Sequence, residues 1–167
     1  MQVINKCLIE KVVKEAKESP RKRMNFNFHK TFDANVQRML NVMEPDTYVQ
    51  PHKHEDPDKM EAFLVLQGRV LVVEFDDNGE IVSNCVLSAQ DCVFGAEISP
   101  RVWHCIVPLE PDTVVYEVKD GPYSPLNDKN FATWAPKEGT KGCWQYNDEL
   151  VRRCGIDRVS NSKQKPG

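Results

Sequence analysis

Glu61-Ala62-Phe63-Leu64-Val65-Leu66, Val70-Leu71-Val72-Val73-Glu74-Phe75, Asp76-Asp77-Asn78-Gly79 and Ile81-Val82-Ser83-Asn84-Cys85-Val86-Leu87 follow one another almost without a break. Short apolar runs separated by turn chemistry read as antiparallel strands joined by hairpins. Outward from this stretch the pattern continues on both sides. Val36 to Met43 precedes the turn Glu44-Pro45-Asp46, and Val102 to Leu109 is divided from Val114 to Val118 by Glu110-Pro111-Asp112. Six or more short strands at this spacing describe an all-β sandwich or barrel.

Toward the amino terminus the pattern changes. Ile4, Leu8, Ile9, Val12, Val13 and Ala16 recur at three- and four-residue spacing, which predicts an amphipathic helix ending near Ser19-Pro20 and lying as a lid on a sheet. Asn25-Phe26-Asn27-Phe28 alternates as a short extended segment would. After Asp120 the Gly-, Pro- and Trp-containing stretch to Pro136 suits irregular chain laid over the barrel. Glu138 to Ile156 has room for a short helix, and Asp157 to Gly167 is polar enough for a disordered tail. The organisation expected is therefore an N-terminal helix and extended segment over 1–35, a barrel over 36–136 and a C-terminal extension over 137–167.

With 167 residues, 40% of them hydrophobic and 28% charged, the chain has the size of one globular domain. A net charge of −3 gives no general attraction to nucleic acid or acidic membranes, so small polar partners are expected. Asn5, Lys6 and Glu10 interrupt the place where a signal peptide would be apolar, which predicts a cytoplasmic protein. The six cysteines include no Cys-x-x-Cys pair and read as free thiols. Cys105 neighbours a candidate ligand, but strand alternation points it to the opposite face.

The chemistry concentrates in His52-Lys53-His54, Glu61 and His104. At period two, His52 and His54 project from the same side of a strand, close enough to share an ion. Glu61 opens an apolar run, where a carboxylate is costly to bury unless a cation compensates it. His104 begins another apolar run. Taken alone, each is more often an ordinary hydrogen-bonded side chain; converging from three strands, they make a pocket for one divalent ion with coordination positions left open. Glu74, Glu97 and Glu117 are the carboxyls that could serve beside it as a base.

Pro51-His52-Lys53-His54, Glu61, Gly68 and the stretch Gly95 to His104 resemble the two-part cupin signature, in which His-x-His is followed by Glu and Gly and later by a final His. The spacer Glu55 to Met60 is longer than usual, and Arg101-Val102 stands where a Pro-x-Gly turn is common. Further blocks resemble the WbuC-type cupin-fold metalloproteins: Ser19-Pro20-Arg21-Lys22-Arg23, Asn27-Phe28-His29, Gln37-Arg38-Met39-Leu40, Trp103-His104, Glu117 to Tyr123 and Phe131 to Pro136. The resemblance implies a cupin double-stranded β-helix, or jelly-roll barrel, with a metal on His52, His54, Glu61 and His104. It also implies an association with O-antigen and surface-polysaccharide biosynthesis.

Substrate-binding candidates are Arg38, Tyr48, Lys119 and Tyr123. An arginine inside a strand-like segment must face a polar cavity or snorkel to an edge, and Arg38 is preferred over Arg21 and Arg23 as the group that would grip an anionic sugar. Three imidazoles and a carboxylate suit Fe, Mn, Ni or Zn. The expected function is that of a metal-dependent enzyme on a sugar or sugar derivative, by isomerisation, epimerisation or hydrolysis, or by dioxygen activation with Fe(II). The alternative is a non-enzymatic cupin module that senses or binds a sugar or metabolite. A homodimer is expected, with neither nucleic acid nor membrane as partner.

Overall fold

A computed structural model describes residues 1–124 and 128–157. In chain order the elements are α1 (Lys6–Glu18), β1 (Arg23–Asn27), β2 (Val36–Met43), β3 (His52–Lys53), β4 (Glu61–Gln67), β5 (Arg69–Phe75), β6 (Ile81–Ser88), β7 (Gly95–Ile98), β8 (Trp103–Pro108), β9 (Thr113–Asp120), β10 (Asn130–Phe131) and α2 (Cys143–Arg153). The tail expected to be disordered lies, apart from Asp157, outside the described residues.

Two five-stranded antiparallel sheets form, ordered β1-β2-β9-β4-β7 and β10-β3-β8-β5-β6. Their inner faces share one apolar cluster, to which Met43, Phe63, Val65 and Val115 come from the first sheet and Val70, Val72, Leu87 and Ile106 from the second. The all-β jelly-roll class expected of the sequence is the one observed.

Each sheet is also covered on its outer face. Val12 and Ala16 of α1 are fully buried against Leu40, Val42 and Val114, so the helix is the predicted lid on the first sheet. Asn5 caps it, accepting a hydrogen bond from the Leu8 N–H at 3.0 Å. On the second sheet Leu71, Val73, Phe75, Cys105 and Val107 face outward and meet Leu150 and Val151 of α2. This accounts for the unbroken apolar run in β5, since Val70 and Val72 are buried inward and Leu71 and Val73 outward. Cys105 does point away from His104, as alternation requires. Between β4 and β5, Gly68 adopts φ +74° and its missing Cβ would lie 2.6 Å from Thr113 Oγ1, so only glycine fits this turn.

No helix among the described residues is long and apolar enough to cross a membrane.

Candidate metal centre

Along the inward-facing positions the barrel changes character from one end to the other. On β4, Phe63 and Val65 belong to the apolar cluster, and Glu61, two residues earlier, does not. On β8, Ile106 gives way to His104; on β9, Val115 is followed by Glu117 and Lys119; on β2, Met43 is preceded by Asn41. The period of two keeps all of these on one face, so four strands deliver polar groups to the same end of the interior.

There His52, His54, Glu61 and His104 come together, each 1–3% exposed. His52 and His104 are direct register partners between β3 and β8, with ring centroids 4.5 Å apart, and His54 lies 5.1 Å from His52. One ligand atom from each of the four residues lies within 4.8 Å of all the others.

The hydrogen bonds around the rings fix what these atoms can do. His52 Nδ1 meets the Gln50 carbonyl at 2.9 Å, His104 Nδ1 the Val102 carbonyl at 2.9 Å and His54 Nδ1 the Asp128 carbonyl at 2.5 Å. A carbonyl only accepts, so each Nδ1 carries a hydrogen and each ring turns its Nε2 to the centre. Glu61 Oε2 lies 3.0 Å from His104 Nε2 and 3.2 Å from His54 Nε2, while His52 Nε2 is buried without any partner. With the rings neutral, three Nε2 lone pairs and a carboxylate oxygen point to one centre, which is the arrangement a cation satisfies. The donor set thus fits a metal ion.

The charges agree with this. Burial, then the charge of Lys129, holds His52 well below the usual imidazole range, so it is a neutral ligand. Burial opposes ionisation of Glu61, but contacts with His104, His54 and Glu117 outweigh it and keep the carboxylate charged. Glu117 is pushed up to about 8 by burial and by the Glu61 charge, and it hydrogen-bonds Glu61. Asn41 Nδ2 donates to the other side of Glu117 at 3.0 Å.

Behind the cluster sits a buried clamp. Asp128, whose carbonyl holds His54, has its carboxylate between Lys59 Nζ at 2.6 Å and Lys119 Nζ at 2.7 Å. The long spacer between His54 and Glu61 is what brings Lys59 here. Arg101 pins the outside of the same loop through Asp56 and Asp58.

Beside the cluster opens a cavity of about 530 Å³. Glu117 lines it and bonds Glu61; Phe131 lines it and packs 6.2 Å from the His52 ring. Of the four residues expected to bind substrate, Lys119 and Tyr123 line this cavity and Arg38 and Tyr48 do not. Arg38 lies exposed on the outer face of β2, where Nη2 reaches the Phe28 carbonyl at 3.4 Å, because Gln37, Met39 and Asn41 occupy the inward phase. Tyr48 is engaged elsewhere: its hydroxyl donates to the Pro136 carbonyl at 2.6 Å and its ring packs on Tyr146. Arg21 and Arg23 reach the rim but engage Glu138 of the same chain. Of the three glutamates weighed as a base, Glu117 is the one at the cluster, and Glu97 is exposed. Lys59, Asp128, Asn41 and Lys129 had no signal of their own in the sequence.

Among solved structures, the capsular polysaccharide assembling protein CapF from Staphylococcus aureus is similar over 68% of this chain, at 25% identity and a TM-score of 0.55. The match takes up 32% of that chain, so this protein corresponds to about a third of CapF. L-ribose isomerase from Cellulomonas parahominis, solved with L-ribose, is similar over 70% of this chain and 72% of its own, at 17% identity and a TM-score of 0.53, a likeness of fold alone. No curated protein sequence gives a significant match. The two-sheet topology and these neighbours make the fold cupin-like. Residues 4–87, which run from the start of the chain into β6 and include His52, His54 and Glu61, match the family described as a domain of unknown function (DUF6016), and the chain belongs to that family.

Proposed function

We propose that this chain is a metal-dependent cupin enzyme acting on a small polar substrate of the sugar class, in surface-polysaccharide biosynthesis. His52, His54, Glu61 and His104 are the ligands of one divalent Fe, Mn, Ni or Zn ion. The observation that carries the reading is the convergence of three imidazole Nε2 atoms and a carboxylate oxygen, all buried, next to a cavity large enough for a sugar. Such an ion, when bound, supplies Lewis acidity toward a hydroxyl or carbonyl oxygen. The chain itself excludes water from the rings, fixes their orientation through three backbone carbonyls, and places the Glu117 carboxyl between cluster and cavity, where it can exchange a proton with a bound molecule. The polysaccharide context is supported by the WbuC-type sequence blocks and by the likeness to part of CapF, named for capsular polysaccharide assembly. The fold also serves an L-ribose isomerase, which is analogy at the level of fold.

The test is elemental analysis of the purified protein and of His52→Ala, His54→Ala, His104→Ala and Glu61→Gln, together with assays for aldose–ketose isomerisation, epimerisation and oxygen consumption. Metal content should fall sharply in each histidine variant, and Glu61→Gln should be stripped more readily by chelator. Full occupancy in all three histidine variants removes the assignment. Sugar binding without any conversion favours the non-enzymatic binding module.

A further inference from the structure

Four cationic side chains line the cavity, and three of them are already committed. Arg21 and Arg23 bond Glu138 at 3.0 and 2.9 Å, and Lys119 bonds Asp128 at 2.7 Å. Lys129, half-buried in the cavity wall, has neither ion pair nor hydrogen bond among the described residues. Glu61 and Glu117 lie within its electrostatic reach without forming an ion pair to it. A lysine held this way costs desolvation that the charges of Glu61 and Glu117 offset only from a distance, which leaves its ammonium open to an anion in direct contact.

A second unsatisfied group faces the same space. Asn41 lines the cavity at 8% exposure; its Nδ2 is used on Glu117, and its Oδ1 is buried with no donor. An amide oxygen in that state calls for a hydroxyl or amide hydrogen from a ligand.

We infer that the cavity binds a sugar acid, a polyhydroxy compound bearing a carboxylate, with Lys129 as the carboxylate anchor and Asn41 Oδ1 as acceptor for one of its hydroxyls. This deepens the sugar reading above and rests on it. Charge selects the carboxylate over phosphate: among the described residues that line the cavity, one uncommitted ammonium matches a single negative charge, whereas a phosphate or diphosphate brings more charge and is commonly met by a fork of arginine donors. The charge of Glu61 opposes an incoming anion in the bare protein and is offset by a divalent ion in the loaded one. Acid binding therefore depends on metal.

The test uses the full chain loaded with metal, with metal content measured for every sample. Calorimetry compares D-glucuronate and D-gluconate with the neutral D-glucose and D-glucitol and with D-glucose 6-phosphate, on the parent, Lys129→Gln and Lys129→Arg. At least one acid is expected to bind about tenfold or more tighter than its neutral counterpart. Lys129→Gln should erase that preference without changing metal content, and Lys129→Arg should retain it. Equal affinity for acid and neutral compounds, an acid preference that survives Lys129→Gln, or tighter binding of the phosphate than of either acid overturns the inference while leaving the sugar reading in place. Failure of all five compounds to bind the folded, loaded parent at millimolar concentration removes the sugar reading and this inference with it. The parent comparison needs no variant, so it decides even if Lys129→Gln does not fold.

Discussion

Replacing Asp128 by Asn tests whether the buried clamp supports the metal cluster. The Asp128 side chain is 3% exposed, and its two oxygens neutralise Lys59 and Lys119, themselves 2% and 4% exposed. Asparagine keeps the shape but removes the charge and turns an N–H₂ toward one of the two ammonium groups. Breaking a buried pair in this way costs about 3–5 kcal/mol, most of it from the charge left uncompensated. Lys119 also feels Glu61 and Glu117, which places the expected loss near the lower end, about 3 kcal/mol. Against a typical stability of about 5–15 kcal/mol, the variant should fold but unfold at clearly lower urea. The Asp128 carbonyl holds His54 Nδ1, so a shifted backbone there should also weaken metal binding by about 10- to 100-fold. Urea titration of the metal-stripped protein reads the first quantity, and competition with a chromogenic chelator reads the second. A stability within about 0.5 kcal/mol of the parent refutes the clamp. Lost stability with unchanged metal affinity refutes its link to His54.

Four other outcomes are expected. Glu138 is buried in part, which raises its pKa, but Arg23 and Arg21 outweigh this and hold it below the usual range. A depressed carboxyl stabilises above its unfolded value of about 4.3 and loses that contribution as pH falls through the folded value. Glu138→Gln should accordingly cost about 1 kcal/mol at pH 7, with allowance for solvent screening, and nothing in strong acid; a cost independent of pH contradicts the ion-pair account. Gly68→Ala should lower stability by about 2 kcal/mol in urea titration, through positive φ and collision with Thr113, and a neutral result would contradict the turn geometry. Arg38→Lys should leave ligand affinity and metal content unchanged, because the side chain lies outside the cavity; weakened binding in calorimetry would place the ligand elsewhere. A homodimer should give twice the 19.2 kDa chain mass by light scattering, consistent with exposed Leu64, Leu66, Val93 and Phe94 near the β4–β7 edge, and a one-chain mass across micromolar concentrations excludes it.

The strands that were legible in the sequence are those whose apolar residues are buried on at least one face and bounded by turn residues. Val36 to Met43 coincides with β2, and β4, β5, β6, β8 and β9 fall within two residues of the runs that announced them. β7 and β10 had no such signal. Gly95 and Glu97 of β7 are exposed, and β10 is two exposed residues whose place is set by pairing with β3. The four cluster residues were readable because histidine and glutamate, the side chains that can ligate a metal, stand out against apolar strands.

The residues around the cluster were harder to read, for the same reason that the fold is well covered. In Val36-Gln37-Arg38-Met39-Leu40-Asn41-Val42-Met43, apolar side chains occupy both phases: Leu40 and Val42 meet α1, while Met39 faces the cavity and Met43 the core between the sheets. A helix over the outer face erases the alternation that would otherwise tell inside from outside. Arg38, Gln37 and Asn41 then cannot be sorted by period, and charge alone favours Arg38, which is the wrong phase. Lys129 and Asp128 lie in irregular chain after β9, where no period applies at all. Their roles follow from burial and pairing: Asp128 is consumed by two lysines, so Lys129 is the cation left over at the cavity among the described residues. The anion-binding expectation thus passes from a strand arginine to a loop lysine, and only the covered outer face of the first sheet explains why.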